Sequence, residues 1–416
     1  MLYMNKCFLI AVCLLLSFSA VAQNNTASPY SFGGIGLLKF RGTVEMESMG
    51  GMGVFSDSIH TNVLNPATYA NLRFTNYAVG GQFNSTNLEE GNVKEKTQIT
   101  SLDYLIVGIP MGKLGASFGL YPYSAVGYDL DNETDEQLNR FTGTGGLTKV
   151  YLGLGYNVFE GFNVGLEAQY NFGNIRNQGL FVDNSIEFGT QEVNRSDISG
   201  LNFVLGAHYT KAITETLELQ ASLTYIPSSD LTVSNFREIA TVLVTDAGGI
   251  GGAEIESISV QDSEIEFPSQ LAVGLGLGSK NKWFVGGEFI SQETSVLTNR
   301  SFDLPNIGYE DATKVRIGGF YIPKYNSLTS YWSRITYRAG FRFEDTGLVV
   351  GNESINEFGM SFGLGLPVGR RISNINLGVE LGRRGTTDFG LVQENFVNVF
   401  SSLSLNDKWF IKGKYD

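Results

Sequence analysis

Residues 150–172 read VYLGLGYNVFEGFNVGLEAQYNF, and the spacing of apolar residues in this stretch decides the fold. Val150, Leu152, Leu154, Tyr156 and Val158 alternate with Tyr151, Gly153, Gly155 and Asn157. After Glu160-Gly161 the pattern resumes with Phe162, Val164, Leu166, Ala168, Tyr170 and Phe172, interleaved with Asn163, Gly165, Glu167, Gln169 and Asn171. A period of two belongs to strands, and the tight turn keeps the apolar sides of both arms on one face. Such a hairpin fits a soluble sandwich, or a membrane barrel whose outer face meets lipid and whose inner face lines a polar lumen.

The start of the chain separates these readings. Lys6 precedes an uncharged apolar run from Cys7 to Ala20, and Ala20-Val21-Ala22 before Gln23 supplies the small residues of a signal-peptidase site. The run is too short to span a bilayer as a helix. Residues 1–22 therefore read as an export signal, which would carry away both cysteines, Cys7 and Cys13, and with them any disulfide, zinc-thiolate site or cysteine nucleophile. The chain has a formal charge of -13, and loss of Lys6 makes the exported form one unit more negative. An acidic chain with scattered Lys and Arg argues against nucleic-acid binding.

No Pro-rich or Ser-rich linker divides the remainder. The 51 glycines, 12% aromatic content and alternating texture fit one closed sheet whose strands each show a wet face. Short turns are expected at Pro110–Lys113, Phe159–Gly161, Lys211–Glu215, Ser279–Lys282 and Pro367–Ser373. Long polar links are expected at Glu89–Lys96, Asp129–Gly145, Asn177–Ser196, Pro227–Glu266, Leu297–Ala312, Glu344–Glu353 and Arg383–Gln393. Short turns on one side and long links on the other are the pattern of an outer-membrane barrel. The fold class is thus all-β, a transmembrane antiparallel β-barrel of about fourteen strands in residues 73–416, with Trp409–Tyr415 as a periplasmic C-terminal tail. Sixteen strands is the alternative, with an extra strand in 35–52 or in Leu231–Val244.

Residues 23–72 carry little alternation. They are Gly-rich and contain Gly50-Gly51-Met52-Gly53 and then Asn65-Pro66-Ala67, where glycine permits tight turns and Pro66 holds Asn65 extended. Read alone, Asn65-Pro66-Ala67 is also an ordinary turn. In its place ahead of the first strand it resembles the FadL/TodX family of outer-membrane transporters for hydrophobic compounds. The resemblance implies a hatch inside the lumen built on Gly50, Gly51, Gly53, Asn65, Pro66 and Ala67. It also implies a wall kinked at its third strand, where a greasy ligand passes sideways into the membrane. Pro122 lies in that strand and removes a ladder donor, so it is the candidate lateral gate; a proline at the rim of a finished strand is the other reading. The link 227–266 holds Leu231, Val233, Phe236 and Ile239, more apolar groups than a solvated loop exposes. They would contact ligand, or fold over the barrel mouth with no ligand at all.

Enzymatic chemistry finds no support. His60 and His208 are the only histidines and are far apart, no metal-ligand spacing occurs, and no nucleophile elbow or phosphate loop is present. No catalytic residue, metal or cofactor is expected. Two functions follow: passive uptake of a hydrophobic small molecule, of fatty-acid or hydrocarbon type, or a FadL-like barrel that acts as a protein-secretion accessory or shuttle or as a structural outer-membrane protein. The expected partners are outer-membrane lipid, a hydrophobic ligand and the barrel-assembly machinery, with an exported protein on the second reading.

Overall fold

The computed structural model describes residues 26–134, 136–183, 185–244, 250–298, 306–368 and 372–408. The leader, residues 1–22, and the tail Trp409–Tyr415 lie outside the described residues.

The wall has fourteen antiparallel strands. They are β1 Thr75–Glu90, β2 Val93–Met111, β3 in two pieces (Leu114–Pro122 and Ser124–Glu133), β4 Gln137–Phe159, β5 Phe162–Asp183, β6 Gly189–Ala212 and β7 in two pieces (Glu218–Ile226 and Ser229–Val244). Then come β8 in three pieces (Ile250–Ser259, Ser263–Phe267 and Gln270–Ser279), β9 Trp283–Gln292, β10 Ala312–Tyr321, β11 Thr336–Val350, β12 Glu353–Val368, β13 Ser373–Arg384 and β14 Gln393–Asp407. Each pairs with its sequence neighbour, and β14 returns to β1 from Thr75↔Asp407 to Glu89↔Gln393, which closes the barrel.

The opening hairpin shows why the sheet closes. Val150, Leu152, Leu154, Tyr156 and Val158 point outward with 43–60% of their surface exposed, whereas Tyr151, Gly153, Gly155, Glu167, Gln169 and Asn171 are inward or buried. Its register places Tyr151 opposite Gln169, Gly153 opposite Glu167 and Gly155 opposite Gly165, so one face stays apolar through the turn. The same outward phase continues through Leu114, Phe118 and Leu120, through Leu201, Phe203 and Leu205, and through Leu271, Val273 and Leu275. A closed wall with an apolar outer belt pairs its backbone groups along the ladders without water, so lipid can surround it. The protein is an integral β-barrel of the bacterial outer membrane.

Most of the long polar links are corrected, whereas Arg383–Gln393 joins β13 to β14 through the short 3-10 turn Asp388–Gly390. Of the span Pro227–Glu266, Ser229–Val244 and Ile250–Ser259 form a strand hairpin, with Phe236 opposite Ser259 and Ile239 opposite Glu256. Leu231, Val233, Phe236 and Ile239 therefore lie on a strand of the wall and not in a loop. Asp129–Gly145, Asn177–Ser196, Glu89–Lys96 and Glu344–Glu353 are likewise mostly strand. The physical reason is that polar alternating residues pair as well as apolar ones once water replaces lipid outside. β6 has 24 residues, about twice the ~9–11 that cross a bilayer, so its upper half stands above the apolar belt. The Gly351-Asn352 link, with φ of 59° and 70°, is a tight left-handed hairpin turn rather than a loop.

Candidate functional site: a plugged lumen and an unpaired seam

Residues 26–72 pack against the inward faces of the strands. Asn65 caps the short 3-10 turn Pro66–Asn71: its Oδ1 accepts from Ala67 N at 3.0 Å while its Nδ2 donates to the Ala207 carbonyl of β6 at 3.0 Å. Pro66 suits the first position of such a turn because no partner for an N–H is needed there. The turn seats on glycines of four consecutive strands. A Cβ on Gly115 would run into the Tyr69 backbone, on Gly155 and Gly165 into the Pro66–Ala67 backbone, and on Gly206 into Asn65. Above it, the Tyr69 hydroxyl donates to Glu167 at 2.6 Å and Arg41 Nη2 to the same carboxylate at 2.9 Å.

A second seat lies across the lumen. Gly50 and Gly51 adopt φ of 71° and 79°, which glycine tolerates without strain, and bring the backbone down onto Gly318 of β10 and Gly340 of β11. Gly50 N donates to Ser361 Oγ at 3.0 Å, and Gly53 N to Glu288 at 3.1 Å. The Gly50-Gly51-Met52-Gly53 motif and the Asn65-Pro66-Ala67 turn thus anchor the segment to different arcs of wall, and Asn62 links them by donating to Gly53 O at 2.7 Å and accepting from Leu64 N at 2.9 Å.

His60 forms a third contact. Its Nδ1 lies 2.6 Å from Asp57 and its Nε2 3.3 Å from Asn374 of β13, with Glu45 3.9 Å away. Burial works against the imidazolium, but the Asp57 carboxylate beside it raises the His60 pKa above 6.5. Burial likewise opposes the Asp57 charge, yet His60 and two backbone N–H groups hold the carboxyl below 3.8. The His60 contribution is complete below its unfolded value and is lost as pH rises through the folded one; the Asp57 contribution is lost as pH falls through its own. Hydrogen exchange of residues 56–62 should therefore accelerate several-fold between mildly acidic and alkaline pH, after correction for intrinsic rates, and His60→Gln should abolish that response. Equal protection at both pH values in the unaltered chain would contradict the assignment.

Above this packed layer a cavity of about 260 Å3 remains. One side is apolar, with Leu38, Ile226, Phe267, Ile290 and Leu297. The other carries an ion-pair ladder across β10–β14. Lys314 and Arg316 meet Glu344 at 3.4 and 2.9 Å, and Arg342 reaches Glu344 at 3.5 Å, Glu380 at 2.6 Å and Glu357. Arg384 joins Glu357 at 2.5 Å and Glu394 at 2.7 Å. Sequence reasoning missed this ladder, although its signal was present: these charges occupy the inward phase of strands whose outward phase is Val315, Ile317, Phe341 and Phe343.

The wall is interrupted at one place. The β2–β3 ladder runs from Met111↔Leu114 to Leu105↔Leu120 and stops there. Higher up, residues 93–104 of β2 pair with β1, and Val126–Glu133 of β3 pair with β4, with no pairing between β2 and β3 among the described residues. Pro122 is the last residue of the lower piece, opposite Thr148, and the register with β4 shifts by one before Val126↔Gly145. Ser124 to Tyr128 are buried, so the upper piece turns into the lumen. Beside the break, Lys149 Nζ lies over the Tyr123 ring at 3.8 Å and the Phe267 ring at 4.4 Å. Leu231 and Val233 belong to the apolar cluster next to it, with Val126, Ile226 and Phe267, whereas Phe236 is 45% exposed on the outside.

The described residues thus form a closed fourteen-strand barrel with the N-terminal segment folded inside and a break at the third strand. Residues 4–416 match the BamG family model, so the chain belongs to the BamG family. In structure it resembles the Ralstonia pickettii toluene transporter TbuX, at TM-score 0.59 and 15% identity over 88% of this chain and 99% of that one. It also resembles the Pseudomonas putida toluene transporter TodX, at 0.58 and 15% over 89% and 98%. The monoaromatic hydrocarbon channel CymD aligns at 0.58 and 14% over 92% and 99%. A search of curated protein sequences finds no match. At such identity the likeness establishes the fold, and these relatives are channels rather than enzymes.

Proposed function

We propose that the protein is an outer-membrane channel for passive uptake of a hydrophobic small molecule, with residues 26–72 as its hatch and the break above Leu105↔Leu120 as its side exit. The observation that carries this reading is a single one: the cavity wall includes Leu37, Leu38 and Tyr123, which lie at that break, so one space joins the apolar side of the lumen to the seam. Pro122 acts by ending the lower piece of β3 without a ladder donor. Leu231 and Val233 contribute apolar backing to the cavity rather than a surface loop.

The test is purification in a mild detergent followed by mass spectrometry of bound apolar molecules, paired with probe uptake by intact cells. Ile226→Trp, which fills the apolar side, should reduce uptake by an order of magnitude while leaving heat-modifiable gel migration intact. If nothing apolar co-purifies and uptake equals that of cells lacking the protein, the channel reading fails.

One observation favours a second reading. The whole-chain match is to a family whose name, BamG, points to a barrel-assembly link, so a protein-handling role for the same barrel is the alternative. Affinity capture of the intact protein from the outer membrane distinguishes the two: a stoichiometric barrel-assembly subunit with an empty lumen supports the second.

A further inference from the structure

We infer that Ile35–Lys39 is a latch that closes the seam by taking the place of a missing wall strand. This rests on the channel reading above. Where β3 leaves β2, the freed edge of β3 is taken by the N-terminal segment: Leu37 pairs with Ala125 and Leu38 with Ser124 in antiparallel register. Lys39 N donates to the Tyr123 carbonyl at 2.9 Å, at the residue that separates the two pieces of β3. Ser124 Oγ donates to the Ile35 carbonyl at 2.6 Å, and Gly127 N to Ser31 Oγ at 3.1 Å. A strand interrupted at Tyr123 would leave backbone groups unpaired inside a membrane wall, which is costly, and the latch supplies their partners.

The latch also reaches toward the other side of the seam. The Lys39 charge lies within electrostatic reach of Asp103 on β2, of Glu47 in the same N-terminal segment and of Arg384 on β13. Leu37, Leu38 and Lys39 all line the cavity, so anything leaving the cavity through the break must displace them. The contact is short: a two-residue strand supported by three further hydrogen bonds, against ladders of seven or more pairs elsewhere in β3 and β4. It is the weakest pairing along this part of the wall, and therefore the one that opens first. Gly36 sits at φ 88° with Ala125 pressed against it, so a side chain there cannot coexist with the closed latch.

Leu38→Cys with Ser124→Cys tests this directly, in a chain with Cys7 and Cys13 replaced by serine. Directly opposed antiparallel residues have Cα atoms about 4.5–5.5 Å apart, within disulfide range. The readout is uptake of N-phenylnaphthylamine by intact cells, with barrel integrity followed by heat-modifiable migration. Oxidation should lower the uptake of this variant at least ten-fold (order of magnitude) below that of its own reduced form, and reductant should restore it. Gly36→Ala, which forces the latch off, should raise uptake above that of the unaltered chain. Uptake that persists unchanged after complete oxidation overturns the latch and leaves the channel reading standing. Absence of uptake in the unaltered and reduced proteins alike overturns the channel reading, and the latch with it.

Discussion

A chain lacking residues 26–72 should form an open pore. The wall closes through β14 and β1 without help from that segment, so the fourteen-strand ring survives its removal even though the β3 edge at the break loses Leu37 and Leu38. What changes is the lumen. Eight-stranded barrels are filled by their own side chains, whereas those of sixteen or more enclose water, and at fourteen strands the inner diameter approaches the aqueous class. The inward positions where the segment's backbone seats include Gly115, Gly155, Gly165 and Gly206 on one arc and Gly318 and Gly340 on the other, which supply no side chain to fill the space left behind. Glu167, now buried against Arg41 and Tyr69, would be hydrated instead. In planar bilayers the truncated protein should show stepwise ionic conductance at least an order of magnitude above the full chain. A milder form of the same test is Gly165→Val, which drives a side chain into the Pro66–Ala67 backbone and costs on the order of 1–3 kcal/mol of seating energy. Equal conductance in the full and truncated chains would show that the segment does not occlude the pore.

These expectations rest on features of unequal legibility. The wall was readable because a period of two is imposed by the strand itself, and Val150–Phe172 needed only the lipid to assign its faces. The upper halves of the strands were misread as loops for a related reason. Above the membrane the outward phase becomes polar, the contrast disappears, and only the turn dipeptides Gly91-Asn92 and Gly351-Asn352 mark the hairpins. The two seats of the N-terminal segment were legible at Gly50-Gly51 and Asn65-Pro66-Ala67 but their wall partners were not, since a glycine that receives a backbone looks like any other strand glycine. The seam was half legible: Pro122 marked the break in β3, while the pairing of Leu37 and Leu38 with Ala125 and Ser124 joins positions about ninety residues apart that no local pattern connects.

The ladder on β10–β14 supplies the other large effect. Arg342→Ala should destabilise the barrel by roughly 3–5 kcal/mol, the usual cost of removing one partner from a buried ion-pair set. Arg342 has 14% of its side chain exposed and serves Glu344, Glu357 and Glu380, whose own exposures are 12, 6 and 4%. Arg384 still covers Glu357, and Lys314 and Arg316 still cover Glu344, so the carboxylate most fully orphaned is Glu380, left among the described residues with the Asn398 amide at 2.9 Å. Adding Glu380→Gln to Arg342→Ala should recover most of the loss, whereas adding Glu344→Gln should recover little, because Glu344 keeps two cations. Urea unfolding of the lipid-reconstituted protein, followed by heat-modifiable migration, measures all three variants. An Arg342→Ala midpoint that stays within about 0.5 kcal/mol of the unaltered protein would place the ladder among water-screened surface pairs, where single charges contribute little.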